Sequence, residues 1–422
     1  MPAAVPLNGG AAVPQRFLQG LTRCDAGSGP AVLGLAVSGG GDSMALLHLA
    51  VAAGLPCRAV TVDHGLRAES AAEAAGVARA CAALAVPHDT LRWQGWDGRG
   101  NLQDQARRAR YALIAEWALA HGIAAVALGH NRDDVAETLL LRLARGAGVD
   151  GLAAMAARRR HQGVNWLRPL LEIGRGELRD WLAGRGVVWV DDPSNDNARF
   201  DRVRLRQAAG TLAALGLTTE RLAEVAGHLA QVRAALEVQT RDAARKYARI
   251  EAGDVVIDPA ALHDLPEEIA RRLLASALIR VSSAEYGPRG PALAAALAKL
   301  RAGRPATLLG CRMLLRPEGL RVLREWQAVR DHVTTADALW DGRWRVYGPE
   351  INGLELRALG AAGLARCPDW RATGVPRASL LASVSAWRGA ELLAAPLAGF
   401  GLGWRAEIAP APDGDFLCAL SH

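Results

Sequence analysis

The sequence contains almost no lysine. Only Lys246 and Lys299 occur among 422 residues, and arginine supplies the rest of the 50 basic side chains. With 43 acidic residues the formal net charge is +7. Guanidinium groups suit phosphates, so the excess is compatible with a polyanionic partner such as nucleic acid. A genome composition rich in arginine and alanine codons would produce the same excess, so charge alone leaves both interpretations open.

Long apolar runs and paired cysteines are also missing. No unbroken apolar stretch of about 18 residues occurs, so we predict no transmembrane span. The first residues are interrupted by proline and glycine and lack a basic start before an apolar block, so we expect no signal peptide. The six cysteines form no C-x-x-C pair. This spacing favours reduced thiols in a cytoplasmic protein over a disulfide framework, a zinc site or an iron–sulfur site.

The length of the chain predicts more than one domain, because 422 residues exceed one ordinary core. Changes of pattern divide the chain into an N-terminal extension (1–28), a main domain (29–206), a helical domain (207–330) and a small C-terminal α+β domain (331–422). The segment from about 150 to 206 is packed with arginine.

Apolar and amphipathic stretches alternate in the main domain. Strands are predicted at 31–37, 57–64, 88–93 and 124–130, each followed by a helix. Apolar strands that alternate with helices are typical of the α/β class with a doubly wound parallel sheet. In such a sheet ligands bind beyond the carboxyl ends of the strands. Those ends carry Ser38, Asp63, His64, Gly129 and His130.

A glycine-rich loop follows the first predicted strand and opens a helix. It consists of Ser38, Gly39, Gly40, Gly41, Asp42 and Ser43. Backbone N–H groups at a helix start bind anions, and glycine lets the backbone approach the ligand. A Walker loop is excluded because no lysine precedes Lys246, and the dinucleotide fingerprint fails because Met44 replaces its third glycine. Asp42 beside an anion suggests a shared Mg²⁺ or cationic group; a tight turn without a ligand is the alternative.

Two acidic residues after the fourth predicted strand form a second candidate site. Asp134 and Glu137 are spaced i, i+3 and so share one helical face, with His130 and Asp133 nearby. A carboxylate pair can hold an ammonium group and accept its proton. The alternative is a solvated helix face where these acids lie near Arg142 and Arg145. Their position directly after a strand that ends beside the glycine loop favours the first interpretation.

Six segments in order resemble the tRNA(Ile)-lysidine synthetase family of PP-loop (N-type) ATP pyrophosphatases. They are SGGGDS (38–43), VDHGLR (62–67), GHNRDDVAET (129–138), RLARGAGVDGLAAM (142–155), RPLL (168–171) and DDPSNDNARFDRVRLR (191–206). Each motif alone is weak, but the ordered set is specific. The resemblance is strong over about 30–206 and loose beyond it.

The resemblance implies a cytoplasmic ligase that uses ATP and Mg²⁺. Such enzymes adenylate C2 of the wobble cytidine in tRNA(Ile) with a CAU anticodon and release pyrophosphate. The ε-amine of free lysine then displaces AMP and forms lysidine. The tRNA consequently reads AUA instead of AUG and is charged with isoleucine instead of methionine. The sequence leaves open whether such an enzyme acts as a monomer or a homodimer.

The resemblance also implies roles for individual residues. The catalytic residues would be Asp42, His130, Asp134 and Glu137, and Asp42 would be the metal ligand. ATP would be bound by the residues from Ser38 to Ser43 together with Asp63 and His64, and lysine by Asp134 and Glu137. The tRNA-binding residues would be Arg107, Arg110, Arg145, Arg202 and Arg206.

The sequence departs from the family pattern in one tRNA-binding motif. The family commonly has R-N-x-I-R here, but Val203 stands in place of the asparagine. For Arg107 and Arg110 an ordinary surface position on an amphipathic helix is an equal alternative. Trp340 and Trp344, beside two arginines, could stack on bases or pack in a core. The turn chemistry of DPSN (192–195) needs no functional explanation.

Other functions remain as alternatives. Another PP-loop ATP pyrophosphatase that modifies tRNA is the nearest one, but the missing C-x-x-C pairs disfavour a thiolase. No N-terminal cysteine glutaminase is recognisable, which disfavours an amidotransferase. A catalytically silent tRNA-binding protein would be expected to lose Ser38, Asp42, Asp134 or Glu137, and all four are present.

Overall fold

A computed structural model of the chain describes residues 12–24, 32–65, 70–93, 102–190, 201–284, 286–349, 351 and 353–409. The chain divides into two compact units, Met1–Arg233 and Ala234–His422. The division into four domains stays a prediction. Across the part of the chain that the structure describes, no helix combines the length and apolar character needed to cross a bilayer.

Strands and helices alternate in the first unit. Its strands are β1 (Leu33–Ala36), β2 (Cys57–Asp63), β3 (His88–Arg92), β4 (Ala125–Leu128), β5 (Arg158–His161) and β6 (Val164–Leu167). Its helices are α1 (Val13–Arg23), α2 (Gly41–Ala52), α3 (Ser70–Ala83), α4 (Leu102–Ala120), α5 (Arg132–Leu143), α6 (Val149–Leu152), α7 (Arg175–Ala183) and α8 (Asp201–Ala214), and α9 (Thr219–Tyr247) continues into the second unit. Each strand predicted before residue 146 forms within a few residues of its expected bounds, and a helix follows each one as expected.

The sheet of the first unit has the order β3-β2-β1-β4-β6-β5. β1 to β4 and β6 run parallel, and β5 pairs antiparallel with β6. One face packs on a core that includes Leu46 and Leu47 of α2, and a separate core includes Ile114 and Trp117 of α4. The doubly wound α/β prediction is confirmed. The strand order changes direction at β1, which places a ligand crevice beyond the carboxyl ends of β1 and β4.

Helix α1 belongs to the packed body of the first unit. Phe17 is fully buried in the same core as Leu46 and Leu47 of α2. Gly20 packs so closely against the segment at Pro169 that a Cβ atom on Gly20 would lie 1.9 Å from the carbonyl oxygen of Pro169. The described part of the predicted N-terminal extension therefore packs against the main domain.

The second unit combines short helices with three antiparallel sheets. Its strands are β7 (Ala248–Glu251), β8 (Asp254–Ile257), β9 (Ala306–Leu308), β10 (Cys311–Arg316), β11 (Gly319–Arg324), β12 (Thr334–Thr335), β13 (Trp344–Tyr347), β14 (Glu355–Ala358), β15 (Val384–Arg388), β16 (Glu391–Ala394) and β17 (Arg405–Ile408). Its helices are α10 (Ala261–Asp264), α11 (Glu267–Ser282), α12 (Gly290–Arg301), α13 (Trp326–Val329), α14 (Gly360–Leu364) and α15 (Arg377–Leu381), with 3-10 turns at Trp370–Thr373 and Pro396–Ala398. The sheets have the orders β7-β8-β11-β10-β9, β12-β14-β15-β16 and β13-β17.

The five-stranded sheet was not expected in the region predicted to be helical. Helices make up most of the described residues in 207–330, but β7 to β11 lie there too. These strands have three to six residues each, and runs of that length carry a weak periodic signal. The small C-terminal region was expected to mix helices and strands, and β13 and β14 are among the strands found there.

Of the two alternatives for Trp340 and Trp344, packing in a core is the one that the structure shows. Trp340 is fully buried and Trp344 is 4% exposed, and both pack in one apolar core of the second unit. Arg343, between them in sequence, is also buried and donates to the carbonyl oxygen of Gly253 at 2.6 Å. This segment supports the core and presents no aromatic face to a nucleic acid.

A buried ion pair stabilises the second unit. The carboxylate of Asp254 accepts hydrogen bonds from Arg321 Nη1 at 3.0 Å and from the Ser379 hydroxyl. We expect Asp254→Ala to lower the free energy of unfolding by about 3 kcal/mol, because it leaves a buried guanidinium without this carboxylate. Urea denaturation of the full chain measures the change. The control is Asp242→Ala, whose 3.4 Å pair with Arg245 is mostly exposed and should contribute less than about 1 kcal/mol; equal losses would contradict the prediction.

Candidate active site

The glycine loop joins β1 to α2 and is closed by its own hydroxyl groups. Ser43 Oγ donates to the carbonyl oxygen of Gly40 at 2.9 Å and accepts from the Ser38 N–H at 3.1 Å. Gly39 has φ +90°, a left-handed conformation that glycine adopts without strain. Gly40 caps α2 without a side-chain hydrogen bond. The loop therefore directs the start of a helix at the crevice predicted for an anion.

The segments around Trp189 and Gly129 pack closely against this loop. The N–H of Val190 donates to the carbonyl oxygen of Gly39 at 3.0 Å. A Cβ atom on Gly41 would lie 3.4 Å from the ring of Trp189, and one on Gly129 would lie 3.0 Å from the carbonyl oxygen of Asp42. The chain after β4 thus packs directly against the backbone of the loop, which explains the glycine at 129.

Gly129→Ala should weaken binding of ATP on the order of tenfold, since the added methyl group displaces the loop backbone. Titration calorimetry with an uncleavable ATP analogue measures the dissociation constant. Gly148→Ala is the matched control, because a Cβ atom there meets nothing within 4 Å and its φ of −82° suits alanine. An unchanged dissociation constant for Gly129→Ala would show that the close packing does not shape the nucleotide site.

The loop opens into a cavity of about 1100 Å³ in the first unit. Most of the predicted ATP-binding residues line it, together with His130 and three of the predicted tRNA-binding arginines. They are Ser38, Gly40, Gly41, Asp42, Ser43, His64, His130, Arg110, Arg202 and Arg206. A cavity of this size is large enough for a nucleotide.

Arg175, at the first residue of α7, joins three of the predicted catalytic carboxylates. Its Nη1 lies 3.1 Å from Glu137 Oε1, its Nη2 lies 3.3 Å from Asp134 Oδ1 and its Nε lies 3.5 Å from Asp42 Oδ2. The guanidinium also lines the cavity. These carboxylates raise the pKa of Arg175 against the opposing effect of burial. One cation therefore links the glycine loop with the two acids of α5.

Asp134 is held at the start of α5 by a capping box. Its carboxylate accepts from the Asn131 N–H at 3.0 Å, and its own N–H donates to Asn131 Oδ1 at 3.1 Å. Burial raises the pKa of Asp134, although the bond from Asn131 and the charge of Arg175 oppose the shift. The neighbouring Asp133 instead accepts from the backbone N–H of Arg175 at 2.7 Å. The capping box thus fixes the position of the Asp134 carboxylate, and its raised pKa increases its tendency to take up a proton.

Glu137 is buried among arginines. It is 7% exposed, and besides Arg175 it accepts from Arg206 Nε at 2.7 Å, with Arg202 Nε at 4.0 Å. The alternative of a solvated helix face is therefore wrong for this residue. Arg142 and Arg145, its expected neighbours in that alternative, contact the carbonyl oxygen of Gly151 and the carboxylate of Asp201.

The pKa of each cavity histidine lies below its usual range, which favours the neutral form near pH 7. Burial, followed by the charges of Arg168 and Arg110, lowers the pKa of His130 to about 3. Burial also lowers the pKa of His64, and the nearby Arg110 adds to the effect. Each Nδ1 is buried without a hydrogen-bond partner in the structure. Both rings line the cavity as neutral groups that can hydrogen-bond a ligand.

Asp63 is held by hydrogen bonds to residues that follow β2. A hydrogen bond from the Ser70 side chain and another from the Gly65 N–H, at 2.9 Å, lower the pKa of Asp63. The residue is buried and lies outside the cavity lining. Its observed contacts are those of a residue that orders the loop after β2, and its predicted contact with ATP remains untested.

The predicted tRNA-binding arginines separate into two groups. Arg110, Arg202 and Arg206 line the cavity, whereas Arg107 and Arg145 are exposed. The segment from Asp201 onward forms α8, and the Val203 side chain is buried there. This valine, which departs from the family pattern, also lines the cavity. The DPSN turn (192–195) lies outside the described residues.

The sequence analysis did not identify Arg175 as a catalytic or binding residue. A signal for it existed, since a cation in the first turn of a helix opposes the helix dipole and needs nearby anions as compensation. Arg179, one turn further along α7, also lines the cavity. Asn131, fully buried at the cap of α5, was likewise overlooked. Arg175, Arg179 and Asn131 are brought to the site by contacts between elements that are distant in sequence.

One atom of the site is suited to a metal ion. Among the described residues, no group of three or more His, Cys, Asp or Glu side chains is arranged to hold a metal. However, Asp42 Oδ1 is buried and has no hydrogen-bond partner. Mg²⁺ is commonly held by one or two carboxylates together with phosphate oxygens and water. The orphaned oxygen beside the anion loop fits that kind of coordination.

Comparison with known proteins gives consistent matches. Residues 14–211 match the family model of the PP-loop domain. The chain is 53% identical over 398 residues to the tRNA(Ile)-lysidine synthase of Ruegeria pomeroyi, covering 93% of this chain and 95% of that protein. It is 43% identical over 291 residues to the enzyme of the same name from Rhodopseudomonas palustris, covering 65% and 82%. With that of Wolbachia pipientis it shares 34% identity over 325 residues, covering 74% and 75%.

Proposed function

This chain belongs to the tRNA(Ile)-lysidine synthase family, and we propose that the cavity beyond its parallel sheet is where lysine is joined to the tRNA. The chain is a ligase that forms lysidine on tRNA(Ile) and uses ATP through its PP-loop domain. The observation that carries the site assignment is the meeting of the glycine loop, Asp42, Asp134 and Glu137 around one guanidinium beside the cavity.

In the first half-reaction the glycine loop binds the phosphates of ATP. Backbone N–H groups at the start of α2 and the hydroxyl of Ser38 would donate to phosphate oxygens. The C2 oxygen of the wobble cytidine attacks the α-phosphate, and pyrophosphate leaves. Asp42 would hold Mg²⁺, which when bound offsets the negative charge of the phosphates. The neutral rings of His64 and His130 would contact the nucleotide.

In the second half-reaction Asp134 and Glu137 bind the lysine side chain. The ε-amine must lose a proton before it attacks C2, and the raised pKa of Asp134 suits this carboxylate to accept that proton. Glu137 instead forms ion pairs with Arg175 and Arg206. AMP leaves as the new C–N bond forms.

The tRNA is held by arginines around and outside the cavity. Arg110, Arg202 and Arg206 would contact the anticodon loop near the reacting base, and the exposed Arg107 and Arg145 would contact the phosphate backbone. The second unit would bind other parts of the tRNA(Ile) with its CAU anticodon. Binding should weaken steeply with salt, because each phosphate contact releases a counterion. We also propose that the enzyme acts in the cytoplasm, because its substrate is a tRNA.

Incorporation of labelled lysine tests this proposal. Purified protein should label a tRNA(Ile) transcript with a CAU anticodon only when ATP and Mg²⁺ are present, and elongator methionine tRNA should stay unlabelled. Release of pyrophosphate without labelling would favour another PP-loop tRNA-modifying enzyme with a different nucleophile. If the protein showed neither labelling nor tRNA-stimulated pyrophosphate release, the assignment of the cavity would be contradicted.

A further inference from the structure

The guanidinium of Arg175 lies where the proposed function places the lysine ammonium. It contacts Asp134 Oδ1 at 3.3 Å and Glu137 Oε1 at 3.1 Å, the oxygens that would otherwise face an incoming cation. The other oxygen of Asp134 is already bonded to the Asn131 N–H, and Arg206 contacts both oxygens of Glu137. A second cation at this place would therefore meet Arg175 as a like charge at close range.

The same guanidinium reaches the phosphate side of the cavity. Its Nε is 3.5 Å from Asp42 Oδ2, and Asp42 belongs to the glycine loop. Arg175 also borders the cavity into which that loop opens, and its side chain is 17% exposed. A nucleotide bound at the loop would place phosphate oxygens within the reach of this side chain. Guanidinium groups bind both carboxylate and phosphate in a bidentate manner, so Arg175 can pair with either partner.

The backbone and the two acids are held independently of the Arg175 side chain. The Arg175 N–H donates to Asp133 Oδ2 at 2.7 Å, so the start of α7 stays in place while the side chain rotates. After such a rotation Asp134 keeps its bonds to Asn131, and Glu137 keeps Arg206. The carboxylates would consequently stay in position to receive another cation.

From these contacts we infer that Arg175 occupies the lysine site in the absence of substrates and leaves it for the phosphates when ATP binds. The inference rests on the proposed lysine site at Asp134 and Glu137. It makes lysine binding depend on the nucleotide, since lysine replaces one positive charge with another on the same two oxygens. Arg175 is thus a specificity-determining and positioning residue that sets the order of substrate binding.

Titration calorimetry with L-lysine tests the inference on the full chain. For the wild-type protein we expect α,β-methylene ATP with Mg²⁺ to tighten lysine binding roughly tenfold or more. By linkage, lysine should tighten binding of the analogue by the same factor. Arg175→Gln should bind lysine without nucleotide about as tightly as the wild type does with it, and the coupling should disappear. Arg175→Lys, which keeps the charge but cannot bridge three carboxylates, should show reduced coupling.

Controls separate a failure of the inference from a failure of the lysine site. Arg185→Gln removes the same charge just after α7, where Arg185 is exposed and stacks on Trp181 at 3.9 Å, and should retain wild-type coupling. If Asp134→Asn abolishes lysine binding but Arg175→Gln and Arg175→Lys keep full coupling, the inference is wrong and the site stands. If Asp134→Asn and Glu137→Gln both bind lysine normally, the site itself is wrong. Thermal unfolding verifies that each variant is folded.

Discussion

Asp42→Asn should reduce the rate of tRNA-stimulated pyrophosphate release about 100- to 1000-fold. The substitution keeps the size of the side chain but removes its negative charge, which faces Arg175 and would help to hold Mg²⁺ at the orphaned Oδ1. The phosphates would then bind without the metal ligand that positions them. The measurement is pyrophosphate release at saturating ATP and tRNA, which isolates the first half-reaction because lysine is omitted.

A matched variant tests whether this effect belongs to the site. Asp180→Asn removes one acidic charge from the exposed side of α7 and should leave the rate within about twofold of wild type, as most surface substitutions do. Raising the Mg²⁺ concentration should restore part of the Asp42→Asn activity if the lost oxygen is a metal ligand. Retention of more than a tenth of the wild-type rate by Asp42→Asn would contradict the role proposed for this carboxylate.

Glu137→Gln should raise the KM for lysine on the order of 100-fold, because a buried charge-assisted contact with the ammonium is lost. Pyrophosphate release without lysine should change by less than about threefold, since Glu137 acts only in the second half-reaction. The pair of measurements therefore separates lysine binding from adenylation. Lysine incorporation at varied lysine concentration, with saturating ATP and tRNA, gives the KM.

A second variant protects this test against a local structural effect. Glu137→Gln leaves Arg175 and Arg206 with one carboxylate fewer, whereas Asp134→Asn can still accept the Asn131 hydrogen bond and keep the cap of α5. Both should raise the lysine KM, and the exposed Glu224→Gln on α9 should not. A normal lysine KM in Asp134→Asn and Glu137→Gln would exclude the two acids as the lysine site.

The buried acid pair illustrates how far local pattern can reach. The i, i+3 spacing and the preceding strand predict that Asp134 and Glu137 lie near the glycine loop. In the structure both acids share the guanidinium of Arg175 with Asp42 of that loop. Spacing did not reveal that three arginines already surround Glu137, because those residues lie 38 to 69 positions away in the chain. The charge state of the site thus depends on partners that the local motif does not contain.

The sequence by itself determined the parallel sheet, the glycine loop, the order of its motifs and the family to which the chain belongs. These features rest on near neighbours: apolar periodicity sets strands and helices, and glycine at a strand end permits the loop conformation. The tertiary structure alone decided that Arg175 bridges Asp42, Asp134 and Glu137, that Asp63 is held by residues that follow β2, and that Trp340 and Trp344 pack inside. Each of these depends on which side chains meet after folding, and desolvation and ion pairing then set their charges and contacts.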